Sequence, residues 1–264
     1  MAAIPSQSLS GHTALVCGAS KGIGRATAQA LSAAGAKVLL LARSEGALDA
    51  LAGELRRGGG DAHAVPADLD DLDSLEALAS GLVRQHGSIH VLVNNSAGPP
   101  GGALLEARVE DLLLPFRRHV LAAHTLVQVL LPGMRADGYG RIINVISTSV
   151  REPIPNLGVS NTIRGAMASW AKSLSRELPP GVTINNVLPG FTDTARLASL
   201  GEKRAAREGV TVDAVRNAWI AQVPERRLAQ PEETAAAIAF LASPAAAYIR
   251  GVSLPVDGGR LRSI

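Results

Sequence analysis

The stretch that decides the fold is Ala14-Leu-Val-Cys-Gly-Ala-Ser-Lys-Gly-Ile-Gly-Arg25. Its first four residues are apolar and typical of a buried strand, three glycines follow, and a helical pattern begins at Arg25. The backbone N–H groups at such a helix start, together with the helix dipole, attract a diphosphate. Glycines are needed there because a β-carbon would block the ligand or force a disallowed φ angle. The spacing G-x-x-x-G-x-G therefore indicates a dinucleotide-binding turn, the alternative being a tight strand-to-helix turn alone.

Length and composition favour one α/β domain that spans residues 1–264. The chain is 47% hydrophobic but only 3% aromatic, which suits helices packed on parallel strands better than an aromatic platform for nucleic acid. The net charge is +3 and the arginines are dispersed. We therefore expect no nucleic-acid partner.

The single cysteine, Cys17, excludes an internal disulfide and a cysteine-based metal site. Its place at a strand end predicts a packed small residue rather than a nucleophile, and no metal site is expected. The first ten residues lack the pattern of a signal peptide. No apolar run approaches the ~18 residues of a membrane span. A cytoplasmic protein without membrane contact is expected.

Strand-like apolar runs alternate with helical patterns along the chain. Strands are predicted at 12–17, 37–41, 62–67, 90–94, 141–146, 182–188 and 252–256. Helices are predicted at 24–34, 45–57, 71–85, 121–135, 159–177 and 232–242. This alternation predicts a parallel sheet covered on both faces, with ligands bound beyond the carboxyl ends of its strands.

The end of the second predicted strand indicates which nucleotide binds. An acidic residue there would accept a ribose 2′-hydroxyl and repel a 2′-phosphate, but the sequence has Ala42 followed by Arg43, and Lys21 lies in the glycine turn. Two cations and no carboxylate favour NADP, unless both are solvated surface charges. After the third strand, Asp68 and the backbone of Leu69 are candidates to hold the adenine edge; otherwise Asp68 caps the following helix.

Four motifs together resemble those of the short-chain dehydrogenase/reductase family, nearest to 3-oxoacyl-[acyl-carrier-protein] reductase-like members. The resemblance covers nearly the whole chain. Residues 17–24 match the cofactor turn of that family, with Cys17 where Thr is usual. Asn94-Asn-Ser-Ala97 resembles its N-N-A-G turn, Pro189-Gly-Phe-Thr192 the segment that closes over nicotinamide, and Pro255-Val-Asp-Gly-Gly259 the end of its last strand.

The resemblance implies a doubly wound Rossmann-type domain with a seven-stranded parallel sheet in the order 3-2-1-4-5-6-7. It also implies NADP(H) as cofactor. The residues expected to hold the cofactor are Gly18, Ser20, Lys21, Gly22, Ile23, Gly24, Arg43, Asp68, Leu69, Asn95, Ser96, Arg164, Pro189, Gly190 and Thr192.

The catalytic motif departs from that of the family. The family has a Ser, a Tyr thirteen residues later and a Lys four beyond, and here Ser147, Ser160 and Arg164 stand at those positions. The Asn that the family carries on a helix falls at His119. Ser147, Ser160 and Arg164 are therefore the predicted catalytic residues.

These replacements change the chemistry. An aliphatic hydroxyl is a far weaker acid than a phenol, so Ser160 cannot do the work of the tyrosine. Arg164 is expected to stay cationic with a pKa above 12 and to stabilise negative charge without relaying a proton. His119 has a suitable pKa for acid–base work, but a lone histidine on a helix is more often a packed or surface residue. Tyr139 and Tyr248 lie outside the motifs and are interpreted as structural.

Residues 191–225 stand where the family carries its substrate lid. The segment holds four cations, Arg196, Lys203, Arg204 and Arg207. They could meet a phosphorylated carrier such as coenzyme A or acyl carrier protein, or form only a solvated face.

Three hypotheses of function remain open. The first is an NADP-dependent oxidoreductase (EC 1.1.1.-) acting on a carbonyl or acyl substrate, possibly carrier-bound, through a Ser-Ser-Arg site. The second is a lyase, aldolase or isomerase that keeps the nucleotide as a structural ligand, and the third is an inactive NADP-binding subunit or sensor. A homodimer or homotetramer is expected, because helices 121–135 and 159–177 are apolar on more than one face.

Overall fold

Seven parallel strands form one sheet in the computed structural model, which describes residues 6–263. Their order is β3-β2-β1-β4-β5-β6-β7, so the predicted fold class and strand order are confirmed. The bounds are Thr13–Cys17 (β1), Lys37–Ala42 (β2), Ala62–Pro66 (β3), Val91–Asn94 (β4), Gly140–Val145 (β5), Val182–Pro189 (β6) and Ser253–Val256 (β7).

Helices cover both faces of this sheet, which is why the central strands are apolar throughout rather than alternating. Leu15 and Leu39 pack with α3, α5 and α6, whereas Val16 and Leu40 pack with α1, α2 and α9 on the other face. The bounds are Gly22–Ala33 (α1), Glu45–Arg57 (α2), Leu72–His86 (α3), Val109–Phe116 (α4), Ala122–Ala136 (α5), Gly158–Glu177 (α6), Ala195–Glu208 (α7), Val212–Ile220 (α8) and Pro231–Ala242 (α9).

The helix predicted to begin at 121 begins earlier in the structure. α4 continues through a wider π-helical turn, Arg117–Leu121, into α5. Pro115 lies inside α4, and the large apolar side chains of this helix are exposed, so its sequence does not predict a helix that packs on the core. The widened turn matters because π-helical turns often occur at functional sites. Here it carries His119.

A row of hydrogen-bonded polar side chains, buried at its centre, crosses the sheet from β4 to β7. Asn94 donates to Asn144 (2.8 Å), Asn144 to Asn186 (2.9 Å), and Asn186 to the hydroxyl of Ser253 (3.1 Å). The same residues are partners in the strand register. A slip of one residue would break the row and leave buried amides unpaired, so it fixes how β4 to β7 align at the site.

Two properties expected from composition can be examined over residues 6–263. No helix in this range is both long and apolar enough to cross a membrane. Nor does this range bring together three His, Cys, Asp or Glu side chains in a way that could hold a metal ion.

Candidate active site

The glycine turn is packed directly on the end of β4. A β-carbon on Gly24 would lie 2.1 Å from the carbonyl oxygen of Gly18 and 2.7 Å from the Asn95 amide nitrogen. Gly18 itself has a φ of +62°. Asn95 donates to the carbonyl of Cys17 over 3.2 Å, which ties the ends of β1 and β4 together. Glycine at 18 and 24 is therefore a packing requirement at the centre of the site.

The start of α1 offers backbone donors to a ligand. Lys21 is its N-cap in extended conformation, and within the described residues no side chain caps this helix or adds an acid to its first turn. The residues of the turn between Ser20 and Ile23 are partly or fully exposed. The methyl group of Thr194 lies over Gly22, 3.3 Å from where a β-carbon would be. An anion bound at this helix start would be stabilised by the N–H groups and by the helix dipole.

Arg43 and Asp68, predicted to lie near the adenosine end, are neighbours across β2 and β3. The guanidinium of Arg43 is 3.9 Å from the Asp68 carboxylate, and both side chains are well exposed. Asp68 also accepts from the backbone N–H of Asp70 at 3.1 Å. The alternative in which Asp68 caps the next helix is wrong, because Asp71 is the N-cap of α3 and accepts from Ser74.

A small cavity of about 10 Å³ lies behind the carboxyl ends of β4 and β5. Four of the predicted site residues line it: Leu69, Asn95, Ser96 and Arg164. Cys17 also lines it, and burial raises the pKa of its thiol to about 12, which confirms a packed residue rather than a nucleophile. The volume suits one water molecule and is too small for a substrate. Ser147 and Ser160 do not line this cavity.

His119 is held as a neutral imidazole in the wall of this cavity. Its Nε2 faces the carbonyl oxygen of Ala97 at 3.2 Å, and its Nδ1 lies 2.7 Å from the Ser96 hydroxyl. A carbonyl can only accept, so we assign the proton to Nε2 and let Ser96 donate to Nδ1. Burial and the charge of Arg164 lower the His119 pKa to about 2. Burial therefore disfavours an imidazolium at His119 and argues against the hypothesis that this residue supplies a proton.

Ser147 and Ser160 belong to two elements that pack together. Ser147 lies two residues after the end of β5 and is the N-cap of the short 3₁₀ turn Thr148–Val150. Its hydroxyl accepts a hydrogen bond from the Ser149 N–H at 3.0 Å. Ser160 lies half-buried in the first turn of α6, which packs against that 3₁₀ turn. Asn161 bonds both backbone groups of Ile154 and so holds the loop that leads into α6.

Arg164 lies one turn after Ser160 and is buried, with 8% of its surface exposed. One guanidinium nitrogen, Nη1, donates to the carbonyl of Val145 at the end of β5 over 2.7 Å. Burial, with a smaller effect from the charge of Arg196, lowers the Arg164 pKa to about 10. That is below the expected value above 12, yet the group remains cationic at neutral pH.

Two helices, α7 and α8, occupy most of the segment expected to be a lid. The cations predicted there separate into two kinds. Arg204 and Arg207 pair with Glu208 at 3.0 Å on the outer face, and Lys203 is exposed. Arg196 remains exposed over much of its surface, and its guanidinium donates to the carbonyl of Pro99.

The chain leading into α7 is fixed by close packing. The N–H of Gly190 bonds the carbonyl of Val256 at 2.9 Å, and a β-carbon on Gly190 would lie 2.8 Å from Asp257. Pro189 ends β6 and Thr192 is buried, with a bridge from its backbone to Ala229. The side chain of Thr192 is therefore turned away from solvent.

Arg260 is a further residue near the site that sequence reasoning missed. It donates to the Thr148 hydroxyl at 2.8 Å, and its guanidinium lies 4.6 Å from the ring centre of Phe191. No sequence signal marks it beyond its place after two glycines. Both tyrosines lie elsewhere: Tyr139 precedes β5 and donates to Ala242 O at 2.6 Å, and Tyr248 precedes β7 and is exposed.

The comparisons with known proteins agree with this geometry. The family described as Enoyl-(Acyl carrier protein) reductase matches residues 18–260. The 3-oxoacyl-[acyl-carrier-protein] reductase FabG of Vibrio cholerae is 35% identical over 254 residues, which are 95% of this chain and 98% of that protein.

Two solved structures have the same fold. L-sorbose reductase from Gluconobacter frateurii, complexed with NADPH and L-sorbose, is 29% identical with a TM-score of 0.92, covering 98% of this chain and 99% of that one. A variant of actinorhodin polyketide ketoreductase with NADPH is 32% identical with a TM-score of 0.90, covering 98% and 100%. With the sheet order, the glycine turn and these relatives together, the chain belongs to the short-chain dehydrogenase/reductase family.

Proposed function

We propose that this oxidoreductase reduces a carbonyl compound with NADPH through a site built from Ser147, Ser160 and Arg164. The observation that carries the proposal is the buried guanidinium of Arg164, one helical turn after Ser160 and bonded to the end of β5. A group that is cationic at neutral pH at this place can stabilise the charge that develops on a carbonyl oxygen during reduction.

The residues present fit NADP(H). Gly18 and Gly24 let the turn pack closely against Asn95, and the free start of α1 suits a diphosphate. Asn95, Ser96, Pro189, Gly190 and Thr192 would flank the nicotinamide half, with Leu69 and Asp68 toward the adenine. Arg43 and Lys21 would hold the 2′-phosphate. When bound, NADPH supplies the hydride.

The roles of the three catalytic residues follow from their chemistry. The hydroxyls of Ser147 and Ser160 would orient the substrate carbonyl by hydrogen bonds to its oxygen. Arg164 would stabilise the negative charge on that oxygen and bond the nicotinamide ribose with its remaining N–H groups. None of the three titrates near neutral pH, so the proton is assigned to water.

The substrate is proposed to be a 3-oxoacyl-type carbonyl compound, free or carrier-bound, as the names of the relatives suggest. Residues 191–225 would act as the lid of a single NADP-binding domain, opening to admit it. A nucleotide-binding protein without redox turnover is the second candidate. The neutral His119 favours it, because it leaves the site without a protein acid.

A homo-oligomer is proposed to form through α4 rather than through the faces of α5 and α6 named from the sequence. The large exposed apolar side chains of residues 104–121 lie on a short 3₁₀ turn, on α4 and at the end of the π-helical turn, and those of α6 do not stand out as exposed. They are Leu104, Leu105, Val109, Leu113, Leu114, Phe116 and Leu121. So many exposed large apolar side chains within one short segment are typical of an interface.

This proposal predicts a dimer or tetramer that α4 substitutions dissociate. Leu113 is 62% exposed, so Leu113→Glu should leave the fold intact and shift the assembly toward monomer, because a carboxylate would be buried in the interface. Sedimentation velocity at micromolar concentration measures this. Val212→Glu, at a smaller exposed apolar site on α8, is the matched control. A wild-type monomer would contradict the proposal.

The nucleotide preference is expected to depend on Arg43. Arg43→Ala should weaken binding of NADPH by about 1.5–3 kcal/mol while leaving binding of NADH nearly unchanged, because only NADPH carries the 2′-phosphate. Fluorescence titration of both nucleotides measures the two Kd values. Arg57→Ala, at the far end of α2, is the control. An unchanged preference in Arg43→Ala would show that Arg43 does not hold the phosphate.

The central chemistry is tested by restoring the usual pair of the family. The double variant Ser160→Tyr, Arg164→Lys should raise the kcat for ketone reduction by at least about tenfold, because a positioned acid typically contributes 10²–10⁴-fold. The rate of NADPH oxidation with a panel of ketones and 3-oxoacyl thioesters is the measurement.

The control is each single variant, since neither alone supplies a phenol beside an ammonium group. If neither the wild type nor the double variant reduces any compound of the panel, although the double variant binds NADPH normally, the reductase proposal is contradicted. Nucleotide binding without turnover is then favoured.

A further inference from the structure

Two arginines from different elements meet at one loop. A β-carbon on Gly98, which follows the turn after β4, would lie 3.3 Å from Nη2 of Arg196 and 3.7 Å from Nη2 of Arg164. Arg164 comes from α6 and Arg196 from the start of α7 in the lid. The absence of a side chain at Gly98 lets both guanidinium groups approach the same place.

No acidic side chain compensates this pair within residues 6–263. Neither arginine takes part in an ion pair there, although Arg204 and Arg207 farther along α7 both do. Each makes a single hydrogen bond to a backbone carbonyl, Arg164 to Val145 and Arg196 to Pro99. Burial of Arg164 without a counter-charge is unfavourable, and the more exposed cation of Arg196 beside it adds repulsion.

The position of Arg196 adds to this cost. It is the second residue of α7, at the positive end of the helix dipole, where acidic residues are favoured and cations are not. Burial lowers the pKa of Arg196, and the charge of Arg196 contributes to the lowered pKa of Arg164. An anion between the two groups would offset the burial of Arg164 without a counter-charge and the repulsion between the two cations. It would also compensate the placement of Arg196 at the start of α7.

We propose that Arg164 and Arg196 form a carboxylate-binding subsite, so that the preferred substrate is a small oxo acid rather than a neutral ketone or a thioester. This rests on the proposed reductase function and narrows its substrate class. Residues four apart on a helix share a face, so an anion at Arg164 lies close to a carbonyl held by Ser160. A carboxylate near the carbonyl of the same molecule meets both requirements, and two planar guanidinium groups suit its two oxygens.

Binding to the complex with NADP⁺ tests this without requiring turnover, because that complex has no hydride to transfer. The probes are 2-oxobutanoate, acetoacetate and 4-oxopentanoate, each with its methyl ester, titrated calorimetrically into the wild-type complex. At least one acid should bind 10- to 100-fold more tightly than its ester, the range expected for hydrogen bonds between charged groups. Acids that bind no better than their esters would overturn the proposal.

Substitution of Arg196 locates the effect. Arg196→Gln should lose most of the acid-over-ester preference, Arg196→Lys should recover part of it, and Arg204→Gln, which lies on the outer face of the same helix, should keep it in full. The diphosphate of the cofactor is the other possible anion. A rise in the Kd of NADPH in Arg196→Gln, with the acid-over-ester preference kept, would place Arg196 on the cofactor and overturn the subsite.

Reduction of the same compounds separates the two proposals. Wild-type protein that reduces the methyl esters as well as the acids upholds the reductase function and contradicts the subsite. Protein that binds the acids selectively but oxidises no NADPH upholds the subsite and contradicts the reductase function.

Discussion

The contact between the glycine turn and Asn95 is the constraint on which the site depends. Gly24 approaches the Gly18 carbonyl so closely that any side chain would separate α1 from β1, and the same space is closed on the other side by Asn95. This one contact sets the start of α1 against the end of β4. It therefore fixes the distance between the anion-binding end of the helix and the residues that follow β4, among them Ser96 and Gly98.

The row of asparagines extends that constraint across the sheet. Asn94, Asn144 and Asn186 hold β4, β5 and β6 in register one residue or a few before the chain reaches Asn95, Ser147 and Pro189. Arg164 then bonds the last residue of β5 from the helix side. The strand ends β4 to β6 at the site are thus held together by hydrogen bonds. The helices α7 and α8, by contrast, pack around a separate hydrophobic cluster that includes Trp219. Fixed strand ends beside separately packed helices α7 and α8 suit a site whose substrate enters beneath a lid.

The sheet was predictable because each strand is a short apolar run bounded by turns, as in Lys37–Ala42, and the motifs identified the order of the strands. The features that were not predicted are those without a periodic signal in the sequence. α4 was not predicted because Pro115 lies inside it and its large apolar residues face outward rather than toward the core. His119 was a candidate acid by residue type, but its neutral state follows from the carbonyl of Ala97 and from burial, which no local pattern encodes.

Arg196 shows that the sequence alone also does not reveal which cations have an acidic partner. In the sequence it is one of four lid cations, and only the fold separates it from Arg204 and Arg207, because Glu208 is within reach of those two alone. Residue type thus predicted which side chains are cationic. Their neighbours in the fold decide which of these cations are paired with a carboxylate.

The most direct test of the account is the pH dependence of kcat/KM for carbonyl reduction by the wild-type enzyme. The groups assigned to the site do not titrate between pH 6 and 9: His119 has a pKa of about 2 and Arg164 of about 10. A rate that is flat over this range and falls as Arg164 loses its proton above about pH 10 is expected for water as the proton source. A bell-shaped profile, or a limb with a pKa between 6 and 9, would reveal a protein acid at the carbonyl and contradict the account.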